Sequence, residues 1–421
     1  MHVLIKAHEI SPIRGSECSN GWNIVDGLSN HVKLTVVHAE TNQYGTINYK
    51  KEINTIRNKN NINYIAIKQP FLTVLLSKLN LFLSGNNQGS GISFLYFIGV
   101  FFWERKVYRL LKQMDLSQID IIHNLNHVSF REPSFLWKLN KPFVWGPTSG
   151  IGNIPFSFAK SFPFKFRFIN FLRSSSNYLQ SNFSSRIINA SKHASKIFYV
   201  SKEDEMYLKR FNNNLQYLPD VTIQDLNQHD KLFNVCLNKV KLIWVGRIDQ
   251  IKSLDILLEV FKTNQYLKKY YDIVIIGDGI LKNKLTDYAI ENNIDNVIWL
   301  GKVSRDIVKS EMFKSDIFIH TSIKEASATV IMEALSSGLP VICHDAFGMS
   351  KVIDDNIGFK IPYSSKPESV KFLTEILIEI KKNPLIIVEK AKNINSYANR
   401  FTTKNIIKQF ISTYENIISS L

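Results

Sequence analysis

The sequence predicts an α/β fold in which two doubly wound parallel sheets follow one another, and three observations carry that prediction. A chain of 421 residues is too long for one compact core and suggests two domains. Short apolar runs alternate with helix-like segments through both halves, the pattern of strand–helix–strand winding. Polar, glycine-containing loops follow several of these runs, at the carboxyl ends where a parallel sheet leaves its ligand crevice.

Val3 to Ile5 is the first strand, and a loop holding Pro12, Gly15 and Ser16 leads to a helix from Ser19 to Leu28. Gly15 would let backbone approach a ligand closely, although a plain strand-to-helix turn reads equally well. Further strands are expected at Val32–Val37, Tyr64–Ile67, Ile119–His123 and Phe143–Trp145, with helices between them, including Phe102–Lys112. Ala194 to Ser201 reads as the last strand of this half, which places a domain boundary near residue 200, and polar residues from Val221 to Asn238 read as a linker. In the second half Leu242–Val245 ends in Gly246 and Arg247, the run before Gly277-Asp278-Gly279 is a buried strand, and Val297–Val303 is a strand and turn. Ile317–Ile319 is a strand, Thr321–Ser327 a polar loop, and Thr329–Ser337 a helix closed by Gly338 and Pro340 before strand Val341–Cys343. Phe401–Leu421 is amphipathic, with Ile407, Phe410, Ile411, Tyr414 and Ile418 on one face.

Composition excludes several classes. Charged residues are 21% and hydrophobic ones 45%, a globular balance. Cys18, Cys236 and Cys343 are scattered and odd in number, so neither a disulfide framework nor a zinc cluster is implied, and a reducing cytoplasm is the simplest setting. The chain enters a strand at once, without a signal peptide, and the apolar runs Phe71–Leu83 and Ile92–Trp103 are too short or interrupted to span a bilayer. The formal net charge of +16 admits nucleic acid, anionic lipid or phosphorylated substrates as partners. No RNA-binding or helix-turn-helix signature accompanies it, so no nucleic acid is expected. Residues Pro155 to Arg173 interleave Phe156, Phe158, Phe162, Phe164, Phe166, Phe168 and Phe171 with Lys160, Lys165, Arg167 and Arg173. That mixture suits an anionic membrane surface first, an internal aromatic cluster second and single-stranded nucleic acid third. The stretch Phe71–Trp103 is a candidate for the same surface, which would put the protein at the inner face of the cell membrane.

The chemistry concentrates between Ile317 and Gly348. Glu325 lies on a loop and Glu333 on the helix that follows, whose first amides lack intrahelical partners and suit a phosphate. Two glutamates at this spacing usually mean a solvated face. With the helix start and the upstream cations they suit a phosphorylated, hydroxyl-bearing ligand such as a nucleotide-sugar. Arg247 and Lys252 follow one strand's carboxyl end and are suited to a diphosphate, the alternative being a basic surface turn. Gly277-x-Gly279 is weak evidence by itself. His123, Asn124 and His127 follow another strand, and His127 is a candidate contact for acceptor or sugar, although a histidine there is more often structural.

Glu325, seven residues, Glu333, then Ala334-Leu335 and Gly338-Leu339-Pro340-Val341-Ile342 resembles the E-x7-E signature of retaining GT-B glycosyltransferases of the family 4 (group 1) type. The resemblance is strong from 241 to 360 and loose before 200. It implies two Rossmann-like domains facing a central cleft. Residues 1–200 would bind the acceptor, with helix 401–421 packing back on them, and residues 201–400 would bind the nucleotide-sugar. The implied reaction is retaining transfer of a sugar to a hydroxyl of a saccharide or lipid-linked acceptor, with no obligatory metal and no cofactor. In the family the residue matching Glu325 contacts donor-sugar hydroxyls, that matching Glu333 holds the ribose, and those matching Arg247 and Lys252 stabilise the leaving diphosphate. Gly15 and Gly246 match loop glycines near the phosphates, backbone groups near Lys302 and Val303 match the base contacts, and amides of Ser327, Ala328 and Thr329 match the phosphate contacts. Ala326 and Ala328 stand where the family has glycines, and their methyl groups narrow that approach. The family histidine after the strand at Val144-Trp145 is replaced by Gly146-Pro147-Thr148-Ser149, so its role passes to Thr148, Ser149 or backbone amides. The run FREPSFLWKLNKPFVWGPTSG resembles a bacterial polysaccharide-assembly branch. A nucleotide-sugar epimerase or phosphorylase, or an inactive membrane-bound scaffold, stays open beside the transferase, and the presence together of Glu325, Glu333, Arg247 and Lys252 argues against the scaffold.

Overall fold

Two parallel sheets organise the chain, as seen in a computed structural model that describes residues 1–14, 17–56, 61–83, 93–226, 233 and 239–421. They belong to two units: Met1–Ile151, Ser176–Asp220 and Thr403–Leu421 form the first, and Gly152–Ser175 with Val221–Thr402 the second. The division differs from a cut near residue 200, since 201–220 stay with the first unit and 152–175 go with the second. Both units are α/β and Rossmann-like, the fold class expected from the alternation of runs. Gly15 and most of the expected linker lie outside the described residues.

The first unit holds β1 (His2–Ala7), β2 (Lys33–Ala39), β3 (Ile62–Ile67), β4 (Ile121–Asn126), β5 (Phe143–Thr148), β6 (Lys196–Tyr199) and β7 (Leu215–Tyr217), in the order β3-β2-β1-β4-β5-β6-β7. The last strand is therefore β7, not the run ending at Ser201. β7 is a three-residue edge strand with half-buried side chains, and it makes no apolar run to read. β4 extends into the polar His123–Asn126 because all six of its residues are buried. The second unit holds β8 (Val240–Val245), β9 (Tyr271–Ile276), β10 (Val297–Gly301), β11 (Ile317–His320), β12 (Val341–His344) and β13 (Gly358–Ile361), in the order β10-β9-β8-β11-β12-β13. Central strands covered on both faces explain the nearly unbroken apolar runs at Leu242–Trp244, Ile317–Ile319 and Val341–Cys343.

The terminal helix Thr403–Ser419 packs in the first unit, where Ile406, Ile407, Phe410, Tyr414 and Ile417 join the core of Val3, Ile5, Ile24 and Leu28. The helix Glu17–Leu28 meets it through Gly27, at which a Cβ would lie 2.7 Å from the Ile407 side chain. His123 is structural here: Tyr414 Oη donates to its Nδ1 at 2.7 Å and its Nε2 donates to the Gly146 carbonyl at 2.7 Å. Burial pushes its pKa down to about 4.

A charge pair that composition did not reveal lies inside the first unit. Lys6 Nζ is 2.5 Å from Glu104 Oε1, and both side chains are fully buried. Lys6 also donates to Asn124 Oδ1 at 3.0 Å and to the Asn126 carbonyl, tying β1 to β4.

The aromatic-basic stretch divides between core and surface. Phe158 is buried, stacked on Tyr363 with ring centroids 4.9 Å apart, and Phe162 and Phe166 pack against the second unit's core. These three rings are core, which corrects the expectation that the whole run faces a membrane. Phe156, Phe164, Phe168 and Phe171 are exposed, as are Lys160, Lys165 and Arg173. No described helix is long and apolar enough to cross a membrane. Cys18 and Cys343 are free and buried, and Cys236 lies outside the described residues.

Candidate functional site

In a doubly wound sheet the ligand crevice opens where the strand order reverses, between two neighbours whose following loops diverge. In the second unit that point is the β8/β11 pair, and in the first it is β1/β4. Residues expected to carry chemistry follow all four strands.

After β8, Asp249 organises the loop. Its Oδ1 accepts the backbone amides of Ile251 and Lys252 at 3.0 Å each, and its Oδ2 accepts Arg247 Nε. The Arg247 side chain is 71% exposed, whereas that of Lys252 is only 19% exposed. The loop after β11 is clamped to the β8 loop. Ile323 donates its amide to the Ile251 carbonyl at 2.8 Å, and Thr321 Oγ1 donates to the Lys252 carbonyl at 2.8 Å. Trp244 Nε1 donates in turn to Thr321 Oγ1 at 3.0 Å. This clamp brings Lys252 Nζ against Glu325 Oε1, so the two residues meet across the strand-order reversal as an ion pair. Ser322 Oγ lies 3.2 Å from the same carboxylate oxygen, and His320 Nε2 lies 3.8 Å away. Burial pushes the Lys252 ammonium down to about 8, Arg247 pushing the same way and Asp249 opposing. Burial, then Lys252 and His344, hold His320 well below its usual range, so it is a neutral neighbour of the carboxylate.

Ser327, Ala328 and Thr329 bring the chain into the helix Thr329–Ser336, with Ser327 and Ala328 buried and Thr329 exposed. Ala328 has a φ of 37°, in the positive region that favours glycine, and holding a Cβ there costs about 1 kcal/mol or more. The alanine thus adopts a backbone form that a glycine would take freely. Glu333, on the second turn, is partly buried. Burial raises its pKa, and Arg305 and Lys309 offset part of that rise.

Gly246 and the Gly277–Gly279 turn belong to the frame. A Cβ on Gly277, whose φ is 142°, would sit 1.8 Å from the Gly246 carbonyl, and one on Gly279 would sit 2.3 Å from that of Ile248. The two loops also exchange hydrogen bonds, from Ile248 N to Asp278 O at 2.9 Å and from Leu281 N to Ile248 O at 3.1 Å. These glycines let one backbone lie on another behind Arg247. Gly277→Ala is expected to lower the unfolding free energy by about 2–4 kcal/mol in urea titrations. Lys302 and Val303 follow β10, the first exposed and the second half-buried, next to Gly301, whose carbonyl accepts the Gly277 amide at 2.8 Å.

In the first unit the β1/β4 reversal gathers residues that sequence reasoning did not join. Tyr96 Oη donates to Glu9 Oε1 at 3.2 Å and lies 3.0 Å from His127 Nε2, and the His8 and His127 ring centroids are 4.4 Å apart. Burial raises the Glu9 pKa and holds both histidines well below their usual range, so the imidazoles are neutral. His8, Glu9 and His127 offer donor atoms within 4.8 Å of one another, among the described residues. Glu9 Oε1 is 3.9 Å from His8 Nδ1 and 4.0 Å from His127 Nε2, wider than the roughly 3.3 Å between tetrahedral ligands of zinc, and Tyr96 already bridges Glu9 and His127. Tyr96 thus links Glu9 and His127 by hydrogen bonds, and the His8 ring packs against that of His127. Thr148 Oγ1 donates to the Val128 carbonyl at 3.2 Å, and Ser149 bonds through its backbone to residues 128 and 130. Both residues are buried and fasten the end of β5 to the segment after His127.

Residues 229–401 match the family model described as "Glycosyl transferases group 1". The chain is 25% identical over 229 residues to "Uncharacterized glycosyltransferase MJ1178" of Methanocaldococcus jannaschii, an alignment covering 54% of this chain and 61% of that protein. It is 26% identical over 220 residues to "Protein CapJ" of Staphylococcus aureus, covering 50% and 53%. The chain spans about half the length of the curated relatives it matches. Among solved structures, Anabaena Alr3699/HepE in complex with UDP aligns over 100% of both chains with a TM-score of 0.62 and 16% identity, a likeness of fold.

Proposed function

We propose that this chain, in which residues 229–401 match the group 1 glycosyl transferase model, moves a sugar from a nucleotide-sugar to a hydroxyl acceptor with retention. In the reaction the bond between the anomeric carbon and the diphosphate oxygen breaks. The acceptor oxygen bonds to that carbon on the same face, and the acceptor proton leaves with the diphosphate. One observation carries the reading: Lys252 and Glu325 pair across the β8/β11 reversal, with Arg247 fixed beside them by Asp249. A carboxylate for sugar hydroxyls and two cations for a departing diphosphate are the charges this reaction develops, held before the substrate arrives. Glu333 binds the ribose, the amides of Ser327 to Thr329 meet the phosphates, and no obligatory metal takes part. The first unit binds the acceptor, with His127, Thr148 and Ser149 near it.

The likeness to "Putative teichuronic acid biosynthesis glycosyltransferase TuaC" of Bacillus subtilis supports a place in cell-surface polysaccharide or glycolipid synthesis. The acceptor is a saccharide or a lipid-linked one, reached from the inner face of the cell membrane. The exposed Phe156, Phe164, Phe168 and Phe171, with the neighbouring cations, face that anionic surface.

The test is calorimetric. Arg247→Ala or Lys252→Ala is expected to weaken nucleoside diphosphate binding by about 10–100-fold and nucleoside binding by less than about threefold. Equal losses for both ligands overturn the assignment. The pH dependence has a definite sign. Burial depresses the Lys252 pKa to about 8, so its charge is present below that value and lost above it. Diphosphate affinity therefore falls as pH rises from about 7 to about 9.5, and Lys252→Arg, which stays charged, flattens that dependence.

A further inference from the structure

We propose that the helix Phe71–Leu83 of the first unit is immersed in the interfacial layer of an anionic bilayer, lying in its plane. The proposal rests on the peripheral-membrane part of the reading above and adds a second contact, separate in sequence from residues 155–173. The helix is built inside out. Thr73, Ser77 and Asn80 are buried, while Phe71, Leu75, Leu79 and Phe82 are 80%, 51%, 46% and 78% exposed. The buried side chains are held by hydrogen bonds, Thr73 Oγ1 to the Gly99 carbonyl at 2.9 Å and Ser77 Oγ to Gln43 Oε1 at 3.3 Å, while Asn80 is bonded to the Tyr44 side chain. A helix facing water buries its apolar stripe and shows its polar one. Here the order is reversed over three turns, and Leu72 and Leu83, also exposed, widen the outer stripe. Such a contiguous apolar face marks an interaction surface. In the same unit, Asn177 and Ser181 are buried while Tyr178, Leu179 and Phe183 are exposed, the same inversion on a second helix.

Length and charge select the occupant. Thirteen residues make about 20 Å of helix, short of the roughly 30 Å hydrocarbon core, so the helix lies along the bilayer. It carries no acidic residue; Lys78 is its one charge, and Lys106 Nζ donates at 2.9 Å to the carbonyl of Lys68, just before the helix. Lysines beside an apolar face reach anionic headgroups while their stems stay in the apolar layer. A second copy of the chain would set Lys78 against Lys78 with no acid on the helix to answer either.

The full chain is tested by flotation with phosphatidylcholine vesicles containing about a third phosphatidylglycerol. The triple variant Leu75→Ser, Leu79→Ser, Phe82→Ser is expected to lower partitioning about tenfold or more, with no loss of thermal stability, because these side chains support no core. A parallel variant, Phe164→Ser with Phe168→Ser and Phe171→Ser, reports on residues 155–173. Loss of partitioning in that variant alone overturns the present proposal and leaves the other contact standing; loss in the first alone does the reverse. Should the first variant unfold, Leu79→Cys, carrying an environment-sensitive fluorophore in a chain with Cys236→Ser, decides the matter. Blue-shifted emission on adding vesicles supports immersion, and unchanged emission overturns it. A lipid-free dimer that the first variant dissociates also overturns it, since the face is then covered by a second copy.

Discussion

Glu325→Gln is expected to reduce turnover of a nucleotide-sugar by about 10²–10³-fold, while nucleoside diphosphate affinity stays within about threefold or tightens. Glutamine keeps the shape of the side chain and can still accept from Ser322 Oγ, now 3.2 Å from the carboxylate. What it removes is the charge that pairs with Lys252 and that, in the proposed reaction, orders the donor hydroxyls as the diphosphate leaves. Ground-state binding of the diphosphate gains from removing an anion, so the loss belongs to the reacting state. Steady-state transfer or hydrolysis rates, set beside calorimetric affinities, measure the split. A folded variant with near-normal turnover takes Glu325 out of the catalytic set and leaves it a structural partner of Lys252.

Glu104→Leu is expected to lower the unfolding free energy by about 3–5 kcal/mol, because Lys6 is left charged and enclosed. Lys6 cannot turn toward water: its side chain is fully buried, with its other contacts at Asn124 and Asn126. The double variant Lys6→Met, Glu104→Leu removes both charges and is expected to recover most of the loss. Urea titrations of the single and double variants give the coupling directly. A single-variant loss under about 1 kcal/mol means that the pair is not coupled. Lys6 donates to the Asn126 carbonyl, next to His127, so Glu104→Leu is also expected to disturb the placement of that histidine.

The sequence by itself determined the fold class and where the second unit's polar loops fall. Buried parallel strands need unbroken apolar runs, and Leu242–Trp244, Ile317–Ile319 and Val341–Cys343 supply them in the right alternation with helices. Glu325, Arg247 and Lys252 were legible as candidates because each follows such a run, where a doubly wound sheet keeps its polar loops. Tertiary structure alone decided which of these meet. Lys252 and Glu325 are 73 residues apart in sequence and touch because β8 and β11 are neighbours. Glu9, Tyr96 and His127 come together because β4 lies beside β1 and the helix Ser93–Gln113 reaches them. Strand order is set by long-range pairing, which no local period encodes. The same limit explains the aromatic stretch: Phe158 and Phe164 are alike in composition, yet one is stacked on Tyr363 and the other is 78% exposed. Apolar residues are driven from water wherever they stand in a sequence, but what covers each of them depends on the surface that folding brings beside it.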